Sequence, residues 1–186
     1  MPNQAVIEFI EKYDKFIITA HETPDGDALG SEYAMLLALR KLGKTARILN
    51  ADPAPKKFSF VGSEEEFEVL ARSEQIPSDI GEYGLFILDV NDINNIGQVA
   101  TLILPRVAEY FIVDHHDSET VQLSKNHIEQ NASSTCEILY TLFREMQLEL
   151  DLPKFERCLE STLAKKRIAS EIAEPSAAAR PSSRCT

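Results

Sequence analysis

Four short apolar runs have the length and composition of buried strands. The runs cover residues 15–20, 44–49, 84–88 and 110–113. Between the first two runs, apolar residues recur at helical spacing from Asp27 to Leu42, and Gly43 predicts the end of that helix. Strands that alternate with helices predict an α/β domain in which a parallel sheet carries helices on both faces.

Histidines and aspartates gather where three of these runs end. One cluster follows the first run, a single aspartate follows the third, and an acidic and histidine triplet ends the fourth. The set consists of His21, Asp25, Asp27, Asp89, Asp114, His115 and His116. Because ligands of open parallel sheets bind at the carboxyl ends of the strands, we expect all three clusters at one edge of the sheet.

This combination of side chains is typical of a site for two divalent metal ions, which share one bridging carboxylate. Asp25 and Asp27 stand two positions apart in a loop and can serve one ion each. Asp89 stands alone at its strand end and is the natural bridge. Mixed imidazole and carboxylate ligands favour manganese over magnesium or calcium. The sequence therefore predicts two divalent ions, with manganese as the favoured identity.

The same residues also have structural interpretations. An Asp-x-Asp pair before a helix commonly caps free N–H groups, and neighbouring histidines are commonly surface or core residues. The placement of three clusters on one predicted edge favours the metal site over these alternatives. His127 lies between polar residues and belongs to no motif, so we interpret it as a surface residue.

These motifs resemble those of a known family. Residues 21–31 (HETPDGDALGS), followed by Asp89 and the Asp-His-His triplet at 114–116, resemble the first three motifs of the DHH phosphoesterases. This family includes RecJ-like exonucleases, manganese pyrophosphatases and nanoRNases. Residues 39–44 (LRKLGK) make the first motif most similar to the bifunctional branch that acts as nanoRNase and as phosphatase of 3′-phosphoadenosine 5′-phosphate (pAp). The likeness covers about residues 5–150.

The resemblance implies a ligand role for five of the residues. His21 and Asp25 would bind one manganese ion, and Asp27 and His115 would bind the other. Asp89 would bridge the two ions. The activity implied is metal-dependent hydrolysis of a phosphoester, in which both ions offset the charge that develops on the phosphoryl oxygens.

The resemblance also implies two catalytic residues and a further ligand. His116 would contact the scissile phosphate or act as an acid, and Asp114 would support the histidines from outside the metal coordination. Relatives have a fourth-motif aspartate beyond the triplet. Glu171 falls on that position here, without the surrounding glycines, and its extra methylene displaces the carboxylate by about a bond length. An exposed tail glutamate is the competing interpretation.

The sequence departs from the family pattern after residue 150. In relatives a second domain, DHHA1, supplies a glycine-rich loop and basic residues, whereas all seven glycines here lie at or before Gly97. Residues 1–150 carry 12 Lys and Arg against 25 Asp and Glu, and residues 151–186 carry 7 against 5. We expect a DHH phosphoesterase domain over 1–150 and an atypical basic tail over 151–186. The tail should form a helix followed by disorder. Relative to the family, we expect the chain to be truncated or frameshifted there and to lack DHHA1.

Charge and composition restrict the partners. The net charge of −11 disfavours duplex nucleic acid, because phosphate contacts draw mainly on Lys and Arg. No run approaches twenty apolar residues and the first residues lack a signal pattern, so we expect a cytoplasmic protein with no membrane partner. Three cysteines without metal-ligand spacing suit a reducing compartment. The expected partner is a short single-stranded oligonucleotide or a nucleotide phosphate.

Three functions remain open at this point. The first is a phosphoesterase for short oligonucleotides or pAp, with cyclic dinucleotides as a further substrate class. The second is a remnant that binds metal and nucleotide without turnover. The third is a structural or interaction domain. Metal binding separates the third from the other two, and turnover separates the first from the second.

Overall fold

The structure is a computed structural model that describes residues 3–71, 75–90, 92–116, 126–148 and 158. The helices are α1 (Gln4–Lys12), α2 (Gly26–Lys41), α3 (Gln98–Leu102) and α4 (Thr135–Glu145). The strands are β1 (Lys15–Thr19), β2 (Thr45–Asn50), β3 (Phe67–Val69), β4 (Tyr83–Leu88), β5 (Glu109–Asp114) and β6 (Asn126–Ile128). Short 3-10 helices occur at Lys56–Phe58, Glu64–Glu66, Ile80–Glu82 and Ile93–Ile96.

The strands of the described residues form one six-stranded parallel sheet in the order β3-β2-β1-β4-β5-β6. β1 pairs with β2 on one side and with β4 on the other, so the strand order changes direction between β1 and β4. In open α/β sheets the ligand crevice lies outside the carboxyl ends of the strands at such a switch point. The predicted α/β class with a parallel sheet is confirmed, and the fold places a crevice between the loops after β1 and β4.

Helices cover both faces of the sheet, as predicted. On one face, α1, α2 and α4 bury a large core that includes Phe9, Leu36 and Leu139. On the other face, α3 and the 3-10 helix before it bury a second core with Val99 and Ile96. Helix α2 is buried along most of its length because it lies between the sheet and α4. Its N-terminal residues are therefore fixed against the sheet edge.

The assignment of His127 to the surface is wrong. His127 lies in β6, pairs in register with Val113 of β5, and has only 7% of its surface exposed. Burial lowers the pKa of His127, because the charged imidazolium loses water. A strand of three residues flanked by polar positions is too short for its alternation to be recognised in the sequence.

The tail prediction falls on residues that the structure does not describe, apart from Cys158. The division at residue 150, the helix and disorder expected beyond it, and Glu171 therefore stay predictions. Within the described part of the chain, no helix combines the length and the apolar character needed to cross a bilayer.

Candidate metal centre

The three histidine and aspartate clusters meet at the carboxyl edge of the sheet. β1, β4 and β5 are adjacent strands, and each leads into one cluster. The residues brought together are those predicted from the sequence: His21, Asp25, Asp27, Asp89, Asp114, His115 and His116. The strand order places Asp89 between the other two clusters, since β4 lies between β1 and β5.

Asp89 has a strained backbone. It follows β4 directly and adopts a left-handed conformation with φ of 59°. Its main-chain N–H donates to the carbonyl oxygen of Val113 at 3.0 Å, which ties the turn to β5. Asp and Asn tolerate this region better than most residues, yet such conformations concentrate at functional sites. The surrounding sheet therefore holds Asp89 in an unfavourable backbone conformation.

Asp89 is buried, and the carboxylates around it make the centre negative. Burial raises the pKa of Asp89 to about 9, and repulsion from Asp27, Asp25 and Asp114 adds to the shift. Burial also raises the pKa of Asp27. Several carboxylates in low dielectric surroundings disfavour their ionised forms unless a cation offsets their charge. The centre thus has the electrostatics of a cation site.

One group of potential ligands lies on the Oδ2 side of Asp89. His21 Nε2 lies 3.8 Å from Asp89 Oδ2 and 3.9 Å from Asp25 Oδ1. Ligand atoms of the three residues all fall within 4.8 Å of one another. Donors that share an ion at bonds of about 2.1 Å lie roughly 3–4.2 Å apart, so the two distances from His21 Nε2 are in the range for a shared metal ion.

The tautomer of His21 suits a ligand. Nδ1 lies 2.7 Å from the carbonyl oxygen of Glu22. Because a carbonyl oxygen only accepts, Nδ1 carries the hydrogen and Nε2 keeps its lone pair toward Asp89 and Asp25. Asp25 is also the N-cap of α2, where its Oδ1 accepts from the N–H groups of Asp27 and Ala28. Asp25 therefore caps α2, as the structural interpretation predicted, and also lies close to His21.

A second group lies on the Oδ1 side of Asp89. His115 Nε2 is 3.6 Å from Asp89 Oδ1, and His116 Nδ1 is 3.7 Å from the same oxygen. These three residues also place ligand atoms within 4.8 Å of one another. The two oxygens of Asp89 consequently face two different groups, as a carboxylate shared between two ions would.

Asp27 lies beside the second group and is held by α4. Its Oδ2 lies 3.5 Å from His115 Nε2 and accepts from the N–H of Thr135 at 2.8 Å. Its Oδ1 accepts from the N–H of Cys136 at 3.1 Å. The N-terminus of α4 stabilises this carboxylate in its charged form, which opposes the effect of burial.

Asp114 orients the two histidines that follow it. Its Oδ1 accepts from the main-chain N–H of His115 at 2.8 Å and lies 2.8 Å from Nδ1 of His116. A carboxylate at this distance holds an Nδ1–H and leaves Nε2 of the same ring as the nitrogen for other contacts. Oδ2 of Asp114 is buried and has no hydrogen-bond partner among the described residues.

A buried chain of polar groups supports the loop that carries His21. Oδ1 of Asn50 accepts from the hydroxyl of Thr19 at 3.2 Å and from the N–H of Ala20 at 3.4 Å. Its Nδ2 donates to Oε2 of Glu32 at 3.0 Å. Glu32 is fully buried, and loss of water raises its pKa to about 8. Its Oε1 has no partner among the described residues, so the protonated form suits this position.

The clusters open into a cavity of about 510 Å³ lined by His21, Glu22, Asp25, Asp89, Val90, Asn95 and His116. Sequence patterns did not single out Glu22, Val90 or Asn95. Asn95 reaches the site through its backbone, whose carbonyl oxygen accepts from the N–H of Glu22 at 2.7 Å. Neither Lys nor Arg is among the described residues that line this cavity.

Thr135, the first residue of α4, is a further neighbour of the site. Its hydroxyl donates to Asp89 Oδ1 at 3.1 Å. The signal in the sequence was the run Ser133-Ser134-Thr135, which has more hydroxyl groups than a cap requires. Asp92 caps the 3-10 helix that follows it by accepting from the N–H of Asn94.

Comparison with known proteins shows the family and the fold of the chain. The profile of the DHH family, N-terminal domain, matches residues 15–177. The chain belongs to the DHH family. Its fold is that of the DHH phosphoesterase domain, and the family resemblance read from the motifs is confirmed at that level. The metal-ligand and catalytic roles of individual residues remain predictions.

Solved structures share the DHH fold. An exopolyphosphatase-related protein from Bacteroides fragilis aligns over 92% of this chain and 55% of its own, at 18% identity and a TM-score of 0.80. RecJ from Thermus thermophilus, in complex with Mn²⁺, aligns over 88% and 24%, at 15% identity and a TM-score of 0.52. An exonuclease RecJ bound to manganese aligns over 88% and 42%, at 18% identity and a TM-score of 0.52. The chain spans about half the length of the first of these proteins.

Proposed function

We propose that this DHH chain is a metal-dependent phosphoesterase that takes two divalent ions, Mn²⁺ by preference, and hydrolyses short single-stranded oligonucleotides, pAp or both. The observation that carries the proposal is the position of Asp89, whose two oxygens face separate ligand groups. Family membership supports the phosphoesterase class, and Mn²⁺ in two RecJ structures supports the metal.

The donor set fits the proposed ions. His21 and Asp25 would hold one ion, Asp27 and His115 would hold the other, and Asp89 would bridge them. When bound, such ions activate water and offset negative charge on the phosphoryl oxygens. Because no Lys or Arg lines the described part of the cavity, bound cations would supply the positive charge that a phosphate needs there.

His116 is the proposed proton donor. It lines the cavity, and its side chain is 48% exposed, so a substrate can reach it. The contact of Nδ1 with Asp114 fixes the orientation of the ring. Nε2 of His116 would then donate a proton to the leaving oxygen of the phosphoester. The cavity volume of about 510 Å³ is in the range of sites for small ligands, which agrees with a nucleotide-sized substrate.

A chain that binds metal and nucleotide without turnover is the second candidate. The observation that favours it is the lack of cationic side chains around the described cavity, because a substrate phosphate would be held by metal alone. Glu171, the proposed fourth-motif ligand, lies outside the described residues and adds nothing to either candidate.

The test is Mn²⁺-dependent hydrolysis by the full 186-residue chain. The substrates are a 5′-phosphorylated dinucleotide, pAp, a cyclic dinucleotide and, in view of the exopolyphosphatase-related neighbour, inorganic polyphosphate. Asp89→Asn removes the bridging charge, and Asp92→Asn makes the same change at an exposed cap as a matched control.

Hydrolysis of the dinucleotide or pAp that Asp89→Asn loses and Asp92→Asn retains would support the proposal. Turnover of only the cyclic dinucleotide would keep the phosphoesterase class and overturn the proposed substrates. Turnover of only polyphosphate, whose bonds are phosphoanhydrides, would overturn the phosphoesterase class as well. Mn²⁺ binding by a folded chain without turnover of any substrate would establish the second candidate. A folded chain that binds no Mn²⁺ would overturn both.

A further inference from the structure

Thr135 contacts two carboxylates that come from distant parts of the chain. Its main-chain N–H donates to Asp27 in the first turn of α2, and its hydroxyl donates to Asp89 after β4. The side chain is completely buried. One residue at the start of α4 therefore links the predicted bridging carboxylate to a predicted ligand of the second ion.

The N-terminus of α4 is capped without the hydroxyl of Thr135. Ser134 is the N-cap, and its hydroxyl accepts from the N–H of Glu137 at 3.1 Å. Glu137 reaches back, and its Oε2 accepts from the N–H and the hydroxyl of Ser133. This reciprocal arrangement satisfies the helix end in the manner of a capping box. The hydroxyl of Thr135 is free to act on Asp89 instead.

The contact selects one oxygen of Asp89. The hydroxyl donates to Oδ1, the oxygen that faces His115 and His116, while Oδ2 faces His21. A donor on one oxygen restricts rotation of the carboxylate about its χ2 angle. Without that donor, the plane of the carboxylate is free to turn, and the two oxygens need no longer point at two separate groups.

We propose that Thr135 is a positioning residue that orients the Asp89 carboxylate to bridge two metal ions. The inference rests on the proposed function, because it assigns a role toward the same metal centre. Groups that orient metal ligands typically change metal affinity by 10–100-fold when they are removed. Thr135 does not contact the substrate in this role; it acts through Asp89.

The test compares Mn²⁺ affinity and stoichiometry by calorimetric titration of metal-free protein. Thr135→Val keeps the shape and the main-chain N–H but removes the hydroxyl, and Thr135→Ser keeps the hydroxyl. Thr141→Val is the matched control on the same helix, since the hydroxyl of Thr141 donates to the backbone carbonyl of Glu137. Thermal unfolding without metal reports any purely structural effect of each variant.

We expect Thr135→Val to weaken Mn²⁺ binding by at least about tenfold, while Thr135→Ser and Thr141→Val stay within about threefold of the wild type. If the wild type binds Mn²⁺ and Thr135→Val binds within about twofold of it, the inference is wrong and the proposed metal centre stands. If the wild type binds no Mn²⁺, both are wrong. Should Thr135→Val not fold, Thr135→Ala carries the same comparison with Thr135→Ser.

Discussion

At the scale of single residues, the candidate metal centre lowers the stability of the metal-free chain. Asp89 combines a left-handed backbone with a buried carboxylate whose pKa is raised to about 9 by burial and by neighbouring carboxylates. Each feature raises the free energy of the folded state. Residues selected for stability alone would avoid this combination, so its presence agrees with a ligand role.

Asp89→Asn should stabilise the metal-free protein. Asn is isosteric, tolerates the left-handed backbone and carries no charge, so we expect the free energy of unfolding to rise by on the order of 2 kcal/mol at about pH 8. Urea denaturation in EDTA measures this. Added Mn²⁺ should then stabilise the wild type and Asp92→Asn but leave Asp89→Asn unchanged. Equal stabilisation of all three proteins by Mn²⁺ would contradict the bridging role.

Glu32 should make stability depend on pH. Its pKa rises from 4.5 to about 8 on folding because burial removes water from the carboxylate. Between these values the folded state binds more protons than the unfolded state. The protonated acid therefore makes its full contribution to the free energy of unfolding below pH 4.5, and this contribution is lost as the pH rises through about 8.

Glu32→Gln should remove this dependence. We expect the variant to gain stability relative to the wild type between about pH 5 and 9, by on the order of a few kcal/mol, when urea unfolding is measured in EDTA. Glu65→Gln removes the same charge from an exposed position and serves as the control. Parallel pH profiles for Glu32→Gln and the wild type would show that Glu32 is ionised in the folded chain.

At the scale of elements, sequence patterns predicted the strands near the site well. The runs at 15–20 and 84–88 differ by a single residue at one end from β1 and β4. An apolar, β-branched run that ends at a polar cluster shows in its own sequence where a strand ends. β3 and β6 have three residues each and were missed, since their pairing with longer strands, and not their own pattern, makes them strands.

Loop geometry near the site was also beyond prediction. Gly97 has φ of 56° and ψ of −135°, a region that is essentially restricted to glycine. A Cβ at this position would lie 2.5 Å from Oε1 of Glu22 and 2.7 Å from Cβ of Ala51. This packing of the loop after β4 against the loops after β1 and β2 depends on tertiary contacts, which a sequence pattern does not encode.

Gly97→Ala should damage both the fold and the centre. The strained backbone and the clash with Ala51 predict a loss of about 1–3 kcal/mol in urea denaturation. Movement of Glu22 should also weaken Mn²⁺ binding, because His21 is its neighbour. Gly43→Ala is the control: Gly43 has φ of 76° but open space around it, so it should lose about 1 kcal/mol and keep its Mn²⁺ affinity. Equal Mn²⁺ affinity of Gly97→Ala and Gly43→Ala would show that the contact between Gly97 and Glu22 does not affect metal binding.

At the scale of the whole molecule, the sequence predicted which residues meet but not how the strands are ordered. The three clusters were expected at one edge because the carboxyl ends of all strands in a parallel sheet lie on the same side. The order β3-β2-β1-β4-β5-β6 results from long-range pairing, and it is this order that puts Asp89 between His21 and His115. The predicted tail over 151–186 lies outside the described residues except for Cys158.

The central position of β4 has a consequence for the lifetime of the folded chain. The predicted ligands from the ends of β1, β4 and β5 meet only after these three strands have paired, and they lie tens of residues apart in the chain. Mn²⁺ should therefore bind after the rate-limiting step of folding. In stopped-flow experiments over a range of urea concentrations, we expect Mn²⁺ to slow unfolding while the refolding rate stays constant. The ions would then lengthen the lifetime of the folded state without speeding its formation. Faster refolding in Mn²⁺ would instead show that the centre assembles before the sheet is complete.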